Sequence, residues 1–301
     1  MAPNFSFELP THRVEHPAEF VAGAAVAELA AAAELAGFAA CHVTDHPAPD
    51  AMWLDLGGHH ALDPFVALSF AAAATSSLRL LTNVFIAAYR NPFLAAKSIQ
   101  SLDLLSGGRF ILGTAAGYLK PEFAALGVDF GERNDLFDEA LEVMQAVWTG
   151  NDTAFAGRHF AARGVRHVPV PVARPRPPIW IGGNSTRSIR RAVTGFDGWA
   201  PFGTAGYGKA SRTADISGLD DLVARIAVAR ELAEEVGRLD PLDICYSAGQ
   251  LGDPAVPVEE RRDLIGRLAE AGVTWLPVSI PGDDRAAVAD GVAAFAAAFI
   301  A

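Results

Sequence analysis

Asp45 and His46 are the adjacent residues of this sequence that are best suited to acid–base chemistry. They end the apolar stretch "AACHVTDHPAPD", residues 39–50, and a proline follows them at once. An imidazole can give or take a proton near neutral pH, and a neighbouring carboxylate can orient it. The alternative interpretation is a helix-capping aspartate beside a solvated histidine.

A second chemical feature is the stretch "IWIGGNSTRS", in which two glycines and two hydroxyl side chains follow an apolar run. Free backbone N–H groups at a helix N-terminus bind phosphate well. The stretch therefore predicts a phosphate-binding turn at Gly182, Gly183, Asn184 and Ser185. The alternative is an ordinary serine or threonine helix cap. The sequence contains no Walker or Rossmann glycine motif.

Small or polar residues end two further apolar runs. Asn83 and Val84 lie at the end of one run, and Thr114, Ala115 and Ala116 lie at the end of the next. Such residues allow a flat ligand to approach the backbone closely, although tight packing of strand against loop is the alternative. These residues are candidates for cofactor binding.

Metal-binding patterns such as HxH and HExxH are absent from the sequence, so we predict no metal site. His59 and His60 lie in a glycine-rich loop and are expected to be solvated; the alternatives are that they line the mouth of the barrel or bind a metal adventitiously. A phosphate-binding turn combined with few reactive side chains suggests that a bound cofactor carries out the difficult chemistry.

Apolar runs and longer helical segments alternate along the chain, which is typical of a parallel sheet. Eight such units in 301 residues favour an α/β protein with a closed (β/α)8 TIM barrel, and an open doubly wound sheet is the alternative. In a barrel, Asp45 and His46 would lie at the carboxyl ends of the strands, where active sites form. The predicted strands are residues 5–9, 38–45, 78–86, 109–115, 177–183, 197–201, 242–249 and 273–280.

Three connections are too long for ordinary turns. They are residues 117–131, 150–177 and 202–218, and they predict insertions after strand 4 and before strands 5 and 7. No repeat or low-complexity linker divides the chain, so residues 1–301 are predicted to form a single domain.

The formal net charge of −11 argues against a nucleic-acid partner. Glu28 and Glu34 interrupt the alanine-rich run at residues 21–41, which argues against a membrane segment. Cys41 and Cys245 fit no disulfide framework or metal pattern, so a cytoplasmic location is expected.

Residues 153–196 contain no aspartate or glutamate, but they contain eight arginines. A basic segment beside a phosphate-binding turn suggests that a polyanion binds there. The alternatives are that these arginines pair with acids elsewhere or form a subunit contact. The arginines are Arg158, Arg163, Arg166, Arg174, Arg176, Arg187, Arg190 and Arg191.

Six segments, in order over residues 5–200, resemble the luciferase-like monooxygenase superfamily of flavin and deazaflavin barrels. Within it, the tripeptide "TDH" is similar to the branch that uses the deazaflavin coenzyme F420. The segments are "AGFAACHVTDH", "ATSSLRLLTNV", "YRNPFLAAKSIQSLDLLSGGRFILGTAAGY", "EFAALGVDFGERNDLFDEALEVMQAVWTG", "AGRHF" and "PRPPIWIGGNSTRSIRRAVTGFDGW".

This resemblance implies that Asp45 and His46 lie beside the deazaflavin ring. It also implies a cis peptide bond at Asn83–Val84 that backs the ring, and it places the cofactor phosphate against residues 182–185. The glutamate tail of F420 would give the basic segment a partner. Two positions depart from the family pattern. Ala116 stands where sugar-phosphate dehydrogenases of this branch carry a glutamate, and Ala115 adds a methyl group where the family often has glycine.

The resemblance favours an F420-dependent oxidoreductase that transfers a hydride between the deazaflavin and a small organic substrate. In that case His46 would be the acid–base residue or would hydrogen-bond the ring, and Asp45 would orient His46 or the ring. The alternatives are an FMN-dependent monooxygenase that uses O2 and a non-catalytic flavin-binding protein. A homodimer is expected from the resemblance alone. Trp53, Tyr118, Phe202 and Tyr207 suggest an apolar or aromatic substrate pocket, unless they pack the loops.

Overall fold

The structure is a computed structural model that describes residues 2–204 and 213–300. Parallel strands form a barrel-like sheet, and helices cover its outer side. The strands are β1 (Asn4–Glu8), β2 (Ala40–Val43), β3 (Arg79–Thr82), β4 (Phe85–Ile86), β5 (Phe110–Ala115), β6 (Thr153–Ala156), β7 (Ala161–Val165), β8 (Ile179–Gly182), β9 (Gly198–Ala200), β10 (Asp243–Ile244) and β11 (Trp275–Val278).

The barrel sheet has the strand order β10-β9-β8-β5-β3-β2-β1-β11, and β4 continues β3 alongside β5. Its two edge strands also meet. The Thr274 N–H donates to Ile244 O at 2.9 Å, and the Tyr246 N–H donates to Trp275 O at 3.0 Å. The predicted (β/α)8 barrel is therefore confirmed, and its sheet is nearly closed.

The helices follow the strands in the predicted alternation. They are α1 (Pro17–Phe20), α2 (Gly23–Leu35), α3 (Ala51–Asp55), α4 (Pro64–Ala74), α5 (Pro92–Ser106), α6 (Lys120–Ala125), α7 (Arg133–Val147), α8 (Thr186–Gly195), α9 (Leu219–Glu235), α10 (Val258–Ala271) and α11 (Arg285–Phe299). Asp63 starts α4 by accepting hydrogen bonds from the N–H groups of Phe65 and Val66. Asn91 starts α5 in the same way, and a proline follows each cap because the first helical residue needs no N–H donor.

Two layers of apolar side chains hold the strands. Alternation along β3 sends Leu80 into the large cluster beneath the helices and Leu81 into a smaller cluster inside the barrel. Trp180 fills much of this interior, and Gly198 makes room for it, because an added Cβ would lie 2.2 Å from the indole ring. Side chains thus fill the barrel, and ligand space is left at the carboxyl ends of the strands.

The predicted insertions carry structure of their own. The connection after β5 contains α6, and the connection before β8 contains the antiparallel hairpin β6–β7, which the sequence did not predict. Glu139 on α7 holds the hairpin turn by accepting bonds from the N–H groups of His159 and Phe160. In the third insertion, residues 205–212, which include Tyr207, lie outside the described residues.

The alanine-rich run is a packed surface helix, α2, whose glutamates have partners. Glu28 pairs with Arg285 at 3.2 Å, and one oxygen of Glu34 accepts bonds from the backbone N–H groups of residues 76–78. No helix in the described ranges is both long enough and apolar enough to cross a bilayer. The homodimer and the cytoplasmic location stay predictions.

Candidate active site

A cavity of about 500 Å³ opens at the carboxyl ends of the barrel strands. Cavities of this size commonly hold cofactors or small ligands. Most of the predicted site residues line it, whereas Thr114 and Asn184 do not. The lining residues among them are Asp45, His46, Asn83, Val84, Ala115, Ala116, Gly182, Gly183 and Ser185.

His46, just beyond β2, pairs with Glu122 of α6. Its Nδ1 lies 3.4 Å from Oε2 of Glu122, and both side chains are buried. The Tyr89 hydroxyl donates to the same Oε2 at 2.9 Å, and the Ala48 N–H donates to Oε1 at 3.0 Å. With Nδ1 facing Glu122, Nε2 is the ring nitrogen of His46 left to meet a ligand.

Electrostatics favour an ionised Glu122. Burial alone would raise the pKa of its carboxyl group, but hydrogen bonds from His46, Ala48 and Tyr89 outweigh burial and lower that pKa. Burial and the nearby carboxylates of Asp45 and Glu122 raise the pKa of Tyr89, which therefore stays a neutral donor. A carboxylate at Nδ1 keeps a proton on that nitrogen and leaves Nε2 as the base.

Asp45 has a different partner from the predicted one. Its carboxylate accepts two bonds from the Arg90 guanidinium, at 2.6 and 2.7 Å, and one from the Ile86 N–H at 2.9 Å. Glu122, and not Asp45, is therefore the carboxylate that pairs with His46. The alternative role of Asp45, orienting the cofactor ring, stays a prediction. Asp45 joins the end of β2 to the segment that follows β4.

The floor of the cavity lies between β3, β5 and β8. The Asn83–Val84 peptide bond is cis, as the resemblance implied. Val84 packs against the end of β8, where a Cβ on Gly182 would lie 3.3 Å from Val84 Cγ1 and 3.2 Å from Ala115 Cβ. This surface of backbone and small side chains suits a flat ring.

The turn after β8 was predicted to bind a phosphate through free backbone N–H groups. Two of these groups are already used, because the Gly183 N–H donates to Ala200 O and the Asn184 N–H donates to Thr213 Oγ1, each at 3.2 Å. Gly183 adopts a φ of +115°, which favours glycine. Ser185 caps α8 by accepting a bond from the Ser188 N–H at 3.1 Å, and Arg187 of the first turn also lines the cavity. The helix-cap interpretation of Ser185 is thus correct, and it is compatible with a phosphate at the same helix end.

Two predicted cofactor contacts need correction. Asn184 is fully buried, and its amide bonds the backbone of Phe202 and Ala214 at 2.9–3.0 Å, so it connects loops and does not face the cavity. Thr114 is also buried, and its hydroxyl donates to Phe85 O at 2.8 Å, which joins β5 to β4.

The arginine-rich segment is not a free basic surface. Six of its eight arginines form ion pairs with carboxylates from outside the segment. Asp135 and Asp138 of α7 both hold Arg187, for example, and Asp138 also holds Arg191. The interpretation that these arginines pair with acids elsewhere therefore fits the structure better than the polyanion interpretation. The paired arginines are Arg158, Arg166, Arg176, Arg187, Arg190 and Arg191.

Aromatic rings surround His46. Ring centroids lie 4.5 Å away for Trp53, 5.0 Å for His59 and 6.3 Å for Tyr118. His59, Tyr118 and Phe202 line the cavity, whereas Trp53 packs behind His46 and His59. His59 therefore lines the cavity, which was the alternative to the solvated loop expected from the sequence.

Sequence reasoning missed Glu122, Tyr89 and Arg90. Glu122 lies in the long connection after strand 4, and Tyr89 and Arg90 lie in the quoted stretch beginning "YRNP". Their positions in long or motif-bearing loops were the available indications. Their partners lie 33 to 76 residues away in the chain, and local spacing does not reveal such contacts.

Residues 4–249 match the luciferase-like monooxygenase family. An F420-dependent hydroxymycolic acid dehydrogenase of Mycobacterium tuberculosis is 33% identical over 173 residues, 56% of this chain and 46% of that protein. A solved F420-dependent secondary alcohol dehydrogenase, in complex with an F420–acetone adduct, is similar with a TM-score of 0.76 and 18% identity, over 99% of this chain and 98% of that one. The FMN-bound oxygenating constituent of 3,6-diketocamphane monooxygenase from Pseudomonas putida has a TM-score of 0.75 and 16% identity over the same shares.

Proposed function

Because the chain belongs to the luciferase-like monooxygenase family, we propose that it is an F420-dependent oxidoreductase acting on an alcohol or carbonyl substrate. The observation that carries this proposal is the buried His46–Glu122 pair beside the cavity. A hydride that leaves or reaches a carbon bearing oxygen must be matched by a proton at that oxygen. The names of the F420-dependent relatives support the choice of cofactor.

In the oxidising direction, His46 Nε2 accepts the hydroxyl proton while the carbinol C–H bond breaks and releases a hydride. When bound, F420 supplies the ring carbon that takes this hydride. The alcohol becomes a ketone or aldehyde, and His46 becomes an imidazolium. Glu122 stabilises that positive charge, and Tyr89 and Ala48 hold Glu122 in place. The reductive direction runs through the same groups in reverse.

The cavity fits such a cofactor. Val84, Ala115 and Gly182 would provide the flat floor for the ring, and the N-terminus of α8, which begins after Ser185, would receive a phosphate. Because β3 and β5 lie between β2 and β8, the floor lies between His46 and the phosphate turn. A substrate beside His46 would thus be near the ring and away from the phosphate.

One observation favours FMN as the second candidate cofactor. The arginines that were predicted to hold the glutamate tail of F420 are mostly paired with protein carboxylates. FMN has no such tail, so FMN binding does not require free arginines for a glutamate tail. With FMN, the family offers a monooxygenase reaction that uses O2, as in the structural relative from Pseudomonas putida.

The experiment is a pair of binding titrations with F420 and with FMN, followed by reduction of the bound cofactor with secondary alcohols. We expect tighter binding of F420 and a loss of its visible absorbance on addition of alcohol. His46→Gln should bind F420 normally and lose the reduction. His60→Gln is the matched control, because His60 is exposed and does not line the cavity.

Tighter binding of FMN, together with O2 consumption by the reduced complex, would replace this proposal with monooxygenation. Normal reduction of F420 by the His46→Gln variant would remove the acid–base role of His46.

A further inference from the structure

The end of the cavity beside His46 differs chemically from the phosphate end. We call His59, Tyr118 and Trp53 the aromatic wall, because they surround His46 at 4.5–6.3 Å between ring centroids. Trp53 and His59 also contact each other at 5.2 Å, whereas Tyr118 contacts His46. His59 and Tyr118 line the cavity, and Trp53 supports His59 from behind. Leu119, next to Tyr118, extends the apolar lining.

The aromatic wall adds no charge to this end. Burial and the neighbouring His46 lower the pKa of His59, although a bond to His60 O opposes this, so His59 is neutral near pH 7. Burial and the carboxylate of Glu122 raise the pKa of Tyr118 to about 12, so its hydroxyl is neutral as well.

The charged groups around this end already contact protein groups. Glu122 accepts bonds from His46, Tyr89 and Ala48, and Asp45 is paired with Arg90. The cationic side chains of the described lining, Arg133 and Arg187, come from α7 and α8. Arg133 donates to Phe130 O, and Arg187 is paired with two aspartates.

We propose that the aromatic wall binds an uncharged substrate with a ring or branched apolar body, and that it discriminates against phosphorylated and carboxylated alcohols. This inference rests on the proposed function, because it places the reacting hydroxyl or carbonyl oxygen at His46 Nε2. An anionic group beside the wall would lose its hydration and meet the Glu122 carboxylate without a compensating cation among the described residues. An aromatic or branched body would instead bury its surface against the rings.

Two alcohols of closely matched shape test the proposal. 1-Phenylethanol and mandelate share a ring and a secondary hydroxyl, but mandelate has a carboxylate in place of the methyl group. Ligand-observed NMR at pH 7 measures the binding of each to protein saturated with F420 and, separately, with FMN. We expect 1-phenylethanol to bind at least tenfold more tightly than mandelate. Tyr118→Ala should weaken the binding of 1-phenylethanol at least fivefold.

A gain of binding keeps the test independent of folding defects. His59→Arg should tighten mandelate binding at least tenfold, because it places a cation in the aromatic wall. His60→Arg adds the same charge at a neighbouring exposed position and should change neither affinity more than twofold. Tight mandelate binding by the parent protein, or no gain in His59→Arg, overturns the proposal.

The outcomes separate this inference from the proposed function. Hydride transfer to F420 together with a preference for anionic alcohols would support the proposed function and reject the inference that the aromatic wall selects uncharged substrates. Selective binding of 1-phenylethanol to an FMN-loaded protein that does not bind F420 would support the selectivity of the aromatic wall and reject the F420-dependent function.

Discussion

Replacing Glu122 by glutamine tests whether the buried carboxylate supports proton transfer at His46. The amide keeps the size of the side chain but removes its charge. At the observed 3.4 Å, a carboxylate stabilises an imidazolium by about 5 kcal/mol at an effective dielectric constant of about 20. The amide dipole retains part of this stabilisation, so we expect the transition state to lose about 3–5 kcal/mol of it. Such a loss corresponds to a fall in kcat of about 10²–10⁴-fold.

The assay is steady-state oxidation of a secondary alcohol by F420-loaded protein, with kcat and KM measured separately. We expect the loss in kcat, because Glu122 acts on the charge that forms during the reaction and does not touch the substrate. Glu142→Gln, at an exposed position of α7, is the matched control. Thermal unfolding of both variants shows whether the barrel is intact. A folded Glu122→Gln variant with kcat within threefold of the parent value would refute the reasoning.

Three further predictions concern stability, each measured by urea unfolding. Asp45→Asn should lower the free energy of unfolding by about 3 kcal/mol, the low end for a buried ion pair, because the partly buried Arg90 loses its anion; a loss below about 1 kcal/mol would contradict this. Asn184→Ala should cost about 2–4 kcal/mol, because the carbonyls of Phe202 and Ala214 and the N–H of Phe202 lose their partner; an unchanged midpoint would count against that role. Burial opposes ionisation of Glu34, but its backbone hydrogen bonds outweigh burial and lower its pKa from 4.5 to about 2. A carboxyl group with a lowered pKa stabilises the fold above pH 4.5, and this stabilisation is lost as the pH falls towards 2. Glu34→Gln should therefore lower the free energy of unfolding by about 1 kcal/mol at pH 6 and by almost nothing near pH 2. The value at pH 6 is reduced for the solvent exposure of Glu34. A cost that does not change between these pH values would contradict the assignment.

The barrel could be predicted because each parallel strand needs a helical return, and eight such alternating units are visible in the sequence. The residues at which individual strands end were predicted less accurately. The apolar run 38–45 becomes β2 only as far as Val43, and the run 78–86 splits into β3 and β4 around the cis peptide. Residues just beyond these ends line the cavity. They are Thr44, Asp45, Asn83 and Val84.

The members of the candidate site were partly predictable for the same reason. Residues at strand ends, such as His46 and Val84, were found because the barrel brings strand ends together. Glu122 was not found, because α6 carries it to His46 from outside any strand.

The charge pattern misled for a related reason. A count of arginines within residues 153–196 omitted the acids of α7 that lie against them. Charge along the chain therefore predicted a basic surface that the fold neutralises.

The short segment 83–90 supplies the cis peptide of the floor, the Tyr89 hydroxyl that holds Glu122, and the Arg90 guanidinium that holds Asp45. The aromatic wall comes from other parts of the chain, residues 53–59 and 118. The groups that hold Glu122 and Asp45 are thus encoded apart from the proposed substrate contacts, whereas His46 and Glu122 themselves lie close to the wall residues in the sequence. Natural variation in the wall can alter which molecules are turned over while residues 83–90 stay unchanged, so one barrel can give rise to a series of enzymes with different substrates.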